Sequence, residues 1–412
     1  MSTTSSGRLA ASLLLALTAS VAGTAARAVD RTGYDRPGQA TPTVDGGVRI
    51  YVPSASNAVV AFHGPAGGIA VLGDKVYLAE GAHLAVVDVS TPSAPSVNSL
   101  IGPLDDRCVI TDVDADGEHV YASCLDEHAT FDSEGTKTTV FVLSAATDSR
   151  PAELTGSLEL DEWAMRLTAS GRWVYSGGIW CSPGTDCAGE RRGGMVVNDA
   201  RVPTAPETVG FVDLADSLVF AAMVDDGFLY AAGSRPVDVV DGPSFVGILD
   251  LKLPQAPALV AAIDADALGP DAGAWGLARH DGLLYVLPGP YVFDTRDPTQ
   301  PTLLATMRFG SIHTPWAIES SGEYLYVLGE IDEPHRFQVT EPLDLGTVPG
   351  SDVDATIVGE LTLPEPVVLE PWDDALAVSD GYAFVARADS GGLYVIDARD
   401  PAAPRVVGAL GN

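Results

Sequence analysis

The sequence predicts an all-β chain, a seven-bladed β-propeller of four-stranded antiparallel blades. Two interleaved signatures, each occurring seven times, and the length between them predict it. The first signature is an Asp with Pro at +4 and +7, closing an apolar alternating stretch. It occurs at Asp88/Pro92/Pro95, Asp199/Pro203/Pro206, Asp250/Pro254/Pro257, Asp294/Pro298/Pro301 and Asp397/Pro401/Pro404. Two degraded copies have Ser144 and Gln338 in place of the Asp and keep one proline each, Pro151 and Pro342. The second signature is a turn Gly followed three or four residues later by an aromatic. Its copies are Gly73/Tyr77, Gly117/Tyr121, Gly171/Tyr175, Gly227/Tyr230, Gly282/Tyr285, Gly322/Tyr326 and Gly381/Phe384, in register with the first set. Residues 67–412 divided into seven units give about 49 residues each, the size of a four-stranded blade.

Each unit carries four short apolar stretches. The last shows them plainly: ALAVSDG, YAFVARA, GGLYVIDA and RVVGALGN. Alternation with β-branched and aromatic residues, punctuated by Gly, Asp and Pro, reads as strand. The prolines end strands and do not interrupt them. The signature Asp is expected to accept backbone N–H groups of the turn that the prolines pre-bend. A lone four-stranded meander buries its faces poorly, and radial stacking solves that, so the repeat argues for one domain.

Upstream, residues 1–28 read as a signal peptide. Arg8 supplies the positive start, Leu9–Ala22 the apolar core and Ala26-Arg27-Ala28 a small-x-small cleavage site. Residues 29–46 are polar and rich in Gly and Pro, a linker. Residues 47–66 hold a half-repeat (GVRIYVPSASNAVVAF) expected to add to a blade edge or cover one end, and residues 67–412 are the propeller. The run LYVIDARDPAAPRVVGAL, after a GYAFVA strand, resembles the LVIVD-repeat group of bacterial extracytoplasmic β-propellers. The resemblance implies fold and repeat type. It implies little about activity, because one fold hosts many functions.

The chain has 23 Lys and Arg against 56 Asp and Glu, a net charge of −33. Removing residues 1–28 takes away two bases and makes it −35. Such a charge repels phosphate backbones and argues against nucleic-acid binding. No span is expected after the signal is removed. The expectation is a secreted, periplasmic or envelope monomer.

Strand B–C loops and blade-to-blade connections share one face of a propeller. The B–C loops are short in blades 1 and 5 but long in blades 2 (CLDEHATFDSEGTK), 3 (GGIWCSPGTDCAGERRGG) and 4 (GSRPVDVVDGPS). Long loops carry function more often than short ones. This face is therefore expected to be a non-enzymatic platform for a protein, peptide or glycan. The alternative is a hydrolase or lyase at the channel mouth. Cys108 and Cys124 lie symmetrically about Asp116 and are expected to face each other as a disulfide, leaving Cys181 and Cys187 to close a small ring.

Trp163, Trp275, Trp316 and Trp372 fall at or just before strand A of blades 3, 5, 6 and 7. They could ring the channel mouth and stack on a ligand, or seal the wedges between blades. Asp112, Asp114, Asp116 and Gly117 match the start of a calcium loop. Ser123 stands at the twelfth position, where an EF-hand needs Glu, and Val120 at the ninth. An acidic hairpin is the plainer reading, and Ca²⁺ is the sole cofactor candidate. His63 and His313 precede strand A of blades 1 and 6. With Asp105 and Asp106 on the same face they could hold a hydrolytic metal. No GxSxG, GxxxxGK[ST] or CxxCH motif occurs.

Overall fold

Glycine, tyrosine and proline positions recur in space as they do in sequence. The computed structural model describes residues 43–45, 48–51, 68–104, 108–126, 137–160, 162–181, 191–214, 217–235, 243–268, 274–330, 335–344, 346, 350–364, 375–387 and 391–411. The expected signal peptide lies outside the described residues. Blade 1 has strands A–D at Ile69–Leu72, Lys75–Glu80, His83–Asp88 and Ser96–Ile101. Blade 2 has Cys108–Asp116, His119–Asp126, Thr138–Ser144 and Glu153–Leu160. Blade 3 has Glu162–Ser170, Trp173–Cys181, Arg191–Asp199 and Glu207–Asp213. Blade 4 has Leu218–Asp225, Phe228–Ser234, Ser244–Asp250 and Ala258–Ile263. Blade 5 has Gly276–His280, Leu283–Leu287, Tyr291–Asp294 and Thr302–Arg308. Blade 6 has Thr314–Ser321, Tyr324–Glu330, His335–Thr340 and Ile357–Thr362. Blade 7 has Leu376–Ser379, Tyr382–Ala386, Leu393–Asp397 and Arg405–Leu410. Strand A of each blade touches strand A of the next, and strand A of blade 7 touches that of blade 1, so the ring closes.

Two blades carry more than four strands. Val48–Tyr51 pairs antiparallel with strand D of blade 1 (Ile50↔Ile101), and Thr43–Asp45 lies beyond it. Strand structure therefore reaches into the stretch read as linker. Ser351–Asp354, from the C–D connection of blade 6, runs parallel to strand D of blade 5 (Ala305↔Ser351). Arg308 meets Asp354 of that added strand at 2.9 Å. No helix among the described residues is long and apolar enough to cross a membrane.

The two signatures now have physical causes. In all seven blades a two-residue turn joins strands A and B, and its Gly holds a φ between 58° and 79°, the primed-turn geometry that fits strand twist. The aromatic that follows is buried between blades: Tyr77, Tyr121, Tyr175, Tyr230 and Tyr285 are fully enclosed. Each hydrophobic cluster spans neighbouring blades, as with Tyr77, Leu84, Ile110 and Phe141 between blades 1 and 2. Burying one such aliphatic side chain is worth about 1.5–3 kcal/mol, so the core belongs to the interfaces and no blade is self-sufficient.

The Asp–Pro–Pro turn works as expected. Asp88, Asp199, Asp250, Asp294 and Asp397 each accept the N–H of the second residue on, at 2.8–3.2 Å. The next bend closes on the carbonyl before the first proline, as from Ala94 N to Thr91 O at 2.8 Å. In blade 2, Ser144 stands in place of the Asp, and its hydroxyl instead accepts from Glu153 N at 3.3 Å. There Ala146 N donates to the Tyr77 hydroxyl of blade 1 at 2.8 Å. Tyr285 likewise accepts from Leu343 N of blade 6 at 2.9 Å.

A third repeated feature is less visible in the sequence. Strand D of every blade carries a bulge, followed by a small residue: Ser99, Gly156, Gly210, Ala261, Ala305, Gly359 and Gly408. At Gly156, Gly359 and Gly408 it faces the turn prolines of the next blade, and at Gly210 the Gln255 carbonyl of the equivalent turn. A Cβ on Gly156, Gly359 or Gly408 would meet the carbonyl of Pro203, Pro401 or Pro92.

Asp397 accepts Arg399 Nε at 2.9 Å and Nη2 at 2.8 Å. These bonds hold its carboxyl far below the usual carboxylate range. The unfolded state then binds a proton first, so the contribution is full above the unfolded value and is lost as pH falls from there through the folded value. The stability difference between wild type and Asp397→Asn is expected to be constant near neutrality and to shrink as pH drops below about 4, read by urea unfolding across a pH series.

Candidate binding face

The rim that carries the B–C loops is uneven in the strands as well as in the sequence. In blade 1, strands B and C stop at Glu80↔His83, each six residues long. In blade 3 both run nine residues, and pairing continues through Trp180↔Arg192 to Cys181↔Arg191. Blade 4 pairs to Ser234↔Ser244 and blade 2 to Leu125↔Thr138. The three long loops follow from these ends and lie outside the described residues.

Polar groups, some of them buried, brace this rim from below. Arg235 stacks on Phe245, 3.8 Å from the ring centroid. It also donates to Ser217 Oγ at 2.8 Å and to Asp264 Oδ1 at 2.7 Å. Thr138 Oγ1 accepts Ala164 N at 2.9 Å, joining blades 2 and 3. Glu80 Oε1 accepts Gly392 N at 2.8 Å, joining blades 1 and 7.

The acids of the calcium-like run bond to the next blade. Asp112, Asp114 and Asp116 alternate along strand A of blade 2, and only Gly117 and Glu118 form the turn. Asp112 Oδ2 accepts Leu167 N at 2.8 Å, Asp114 Oδ2 accepts Ala169 N at 2.8 Å, and Asp116 Oδ2 accepts Arg172 N at 2.8 Å. The three carboxylates thus act as acceptors for the strand A and A–B turn of blade 3. Arg166 Nη1 stands 3.6 Å from Asp112 Oδ1, with both side chains buried, and its Nε donates to Phe220 O of blade 4 at 2.6 Å. Arg279, its side chain largely buried, pairs with the more exposed Asp225 across blades 4 and 5. Sequence reasoning missed these arginines; the signal was a cation inside an otherwise apolar strand A.

Cys108 and Cys124 form the expected disulfide, with Cα atoms 5.5 Å apart. The register differs from the symmetric one. The hairpin turns at Gly117–Glu118 and not about Asp116, and a bulge between Ile110 and Asp112 moves the pairing by one residue, so Cys108 lies opposite Asp126 and Cys124 opposite Ile110. The bond joins diagonal neighbours on one face. The side chains of Cys181 and Cys187 lie outside the described residues.

Trp275 and Trp316 are partly buried against clusters between blades. Trp275 Nε1 reaches Pro315 O of blade 6 at 3.5 Å. Trp316 meets the His335 ring edge-on at 6.4 Å between centroids. The Trp163 side chain, Trp372, His63, Asp105 and Asp106 lie outside the described residues. His313 is exposed, and its N–H donates to Glu330 O at 3.1 Å. His335 Nε2 lies 4.0 Å from Glu330 Oε2. Away from this rim, Asp74, Asp88 and Asp148 gather around the buried Lys75 ammonium at 2.7, 3.2 and 3.2 Å. A cation of the chain already fills the one acidic trio among the described residues.

The LVIVD repeat family matches at residues 63–100 and 374–410, which are blade 1 with its approach and blade 7. No curated protein matches the chain. Among solved structures, a periplasmic gluconolactonase from Pseudomonas aeruginosa is similar at 14% identity and TM-score 0.54, over 84% of this chain and 95% of that one. A putative 6-phosphogluconolactonase from Bacteroides uniformis gives 13% identity and TM-score 0.49, over 81% and 90%. Apo AztD from Citrobacter koseri gives 12% and 0.49, over 89% and 93%. At these identities the likeness is one of fold.

Proposed function

We propose that this seven-bladed, LVIVD-repeat propeller is an exported binding platform that holds a protein, peptide or glycan on its B–C loop face. The observation that carries the reading is the prolonged strand B–C pair of blade 3, flanked by long loops in blades 2 and 4. Three consecutive blades project on one rim, above a ring braced by interlocked backbone and side-chain bonds. A rigid base lowers the ordering cost of binding, and long loops supply the contacts. The signal-like residues 1–28 and the Cys108–Cys124 bond support export, since disulfides persist in oxidising compartments.

A hydrolase at the channel mouth is the second reading. It is favoured by the grouping of His313, Glu330 and His335 at the blade 6 rim. One experiment separates the two. The B–C loops of blades 2–4 are replaced by the EGAH turn of blade 1, and wild type and variant are used as bait in an extracytoplasmic extract. The wild type is expected to retain a partner that the swapped chain loses, with the unfolding midpoint unchanged. Retention by both would overturn the platform. Hydrolysis of lactone substrates by both, with a stoichiometric metal bound, would favour the enzyme.

A further inference from the structure

The outer strand of a propeller blade is an exposed sheet edge, and proteins guard such edges with charge or with cover. This chain does both, in a consistent pattern. Among the described residues, strand D is uncovered and charged in blade 2 (Glu153, Glu159), blade 3 (Glu207, Asp213), blade 6 (Glu360) and blade 7 (Arg405). Strand D of blade 1, SVNSLI, has no charge and is covered by Val48–Tyr51. Strand D of blade 5, TLLATMR, is charged only at its end and is covered by Ser351–Asp354, whose Asp354 meets Arg308. Blade 4 is the exception. Its strand D, Ala258–Ile263, reads ALVAAI without a charge, and no strand among the described residues pairs with it. Leu259 is 44% exposed there, Leu253 in the preceding turn 59%, and Val202 and Val209 of blade 3 are exposed as well.

We propose that strand D of blade 4 pairs antiparallel with the same strand of a second copy, joining two propellers through one continuous sheet. A two-fold contact sets a surface against itself, so it must repel neither in charge nor in shape. With a net charge of −33, two copies would bring like acids together at the edges of blades 2, 3 and 6. ALVAAI is the bare edge that escapes this. A basic partner drawn by the overall charge would find nothing to pair with along this strand. Antiparallel pairing also carries the Lys252 turn of one copy toward the Asp264 end of the other. The chain was expected to be monomeric; the edge pattern argues otherwise.

Sedimentation equilibrium on the full chain tests this. The average mass is expected to rise from one chain to two as concentration passes through the micromolar range, and to do so more readily in high salt, which screens the acidic surfaces. Leu259→Lys with Ala262→Lys is expected to raise the dissociation constant by about a hundredfold or more, without moving the unfolding midpoint measured at concentrations where both chains are single. Ile357→Lys, an apolar edge residue on blade 6, should leave dimerisation intact. A wild-type chain that stays at one mass throughout, or a double variant that dimerises as well as wild type, would overturn the proposal. The loop swap above leaves this edge untouched, so either reading can fail without the other.

Discussion

Gly408→Val is expected to lower the free energy of unfolding by about 3 kcal/mol or more. Gly408 sits in strand D of blade 7, and its missing Cβ is where the Pro92 carbonyl of blade 1 lies; Pro95 Cδ would be 2.7 Å away. The φ here is ordinary, so the cost comes from contact alone. Neither side can yield cheaply. Pro92 is fixed in a turn closed by Ala94 N on Thr91 O at 2.8 Å, and Asp88 holds Ser90 N at 2.9 Å. A side chain would push blade 7 off blade 1 and open the ring where its ends meet. Gly322→Ala is the matched control. Gly322 has a φ of 60° with open space around its Cβ position, so only backbone strain of about 1 kcal/mol is expected. Equilibrium urea unfolding compares the two. Equal losses would mean that the proline contact does not constrain the interface.

Asp112→Ala is expected to cost about 3–5 kcal/mol, the range for breaking a buried ion pair by removing one member. It takes away the acceptor of Leu167 N and the carboxylate facing the buried Arg166 guanidinium. Asp112→Asn keeps an oxygen for the N–H and loses only the charge, so a smaller loss is expected. Asp116→Ala, nearer the surface, removes one bond to Arg172 N and should cost about 1 kcal/mol. Denaturant unfolding of the three variants gives the order. Asp112→Ala no worse than Asp116→Ala would remove the ladder from the account of what joins blades 2 and 3.

The blades were legible because their cues are local and periodic. A Gly that must take positive φ, an aromatic three or four residues on, and an Asp bonding two residues ahead all lie within one turn of their cause. The cysteine pairing was legible for the same reason. Its register was not, because the turn is centred on Gly117 and Glu118, past Asp116, and the bulge between Ile110 and Asp112 adds a residue that leaves no mark in composition. The hydrogen-bond partners of the Asp112–Asp116 run were not legible, for the opposite reason. They lie about 55 residues away in the next blade, while the run itself reads only as an acidic hairpin or the start of a calcium loop. The packing role of Trp275 was foreseen as one of two alternatives. Its partner, the Pro315 carbonyl, could not be named before the blades were stacked. The small residue after each strand D bulge was visible but mute, since Gly408 has meaning only against Pro92.

All four strands of blade 7 come from residues 376–410 and all four inner strands of blade 1 from residues 69–101, so no blade is shared between the two ends of the ring. The seam is held by the Glu80–Gly392 bond, the Gly408–proline contact and a common apolar cluster. It is built like the joints between other blades. A chain whose ends are tied by a linker and reopened at another inter-blade connection should thus reach the same toroid: the order in which wedges are synthesised is free, and only their cyclic succession matters.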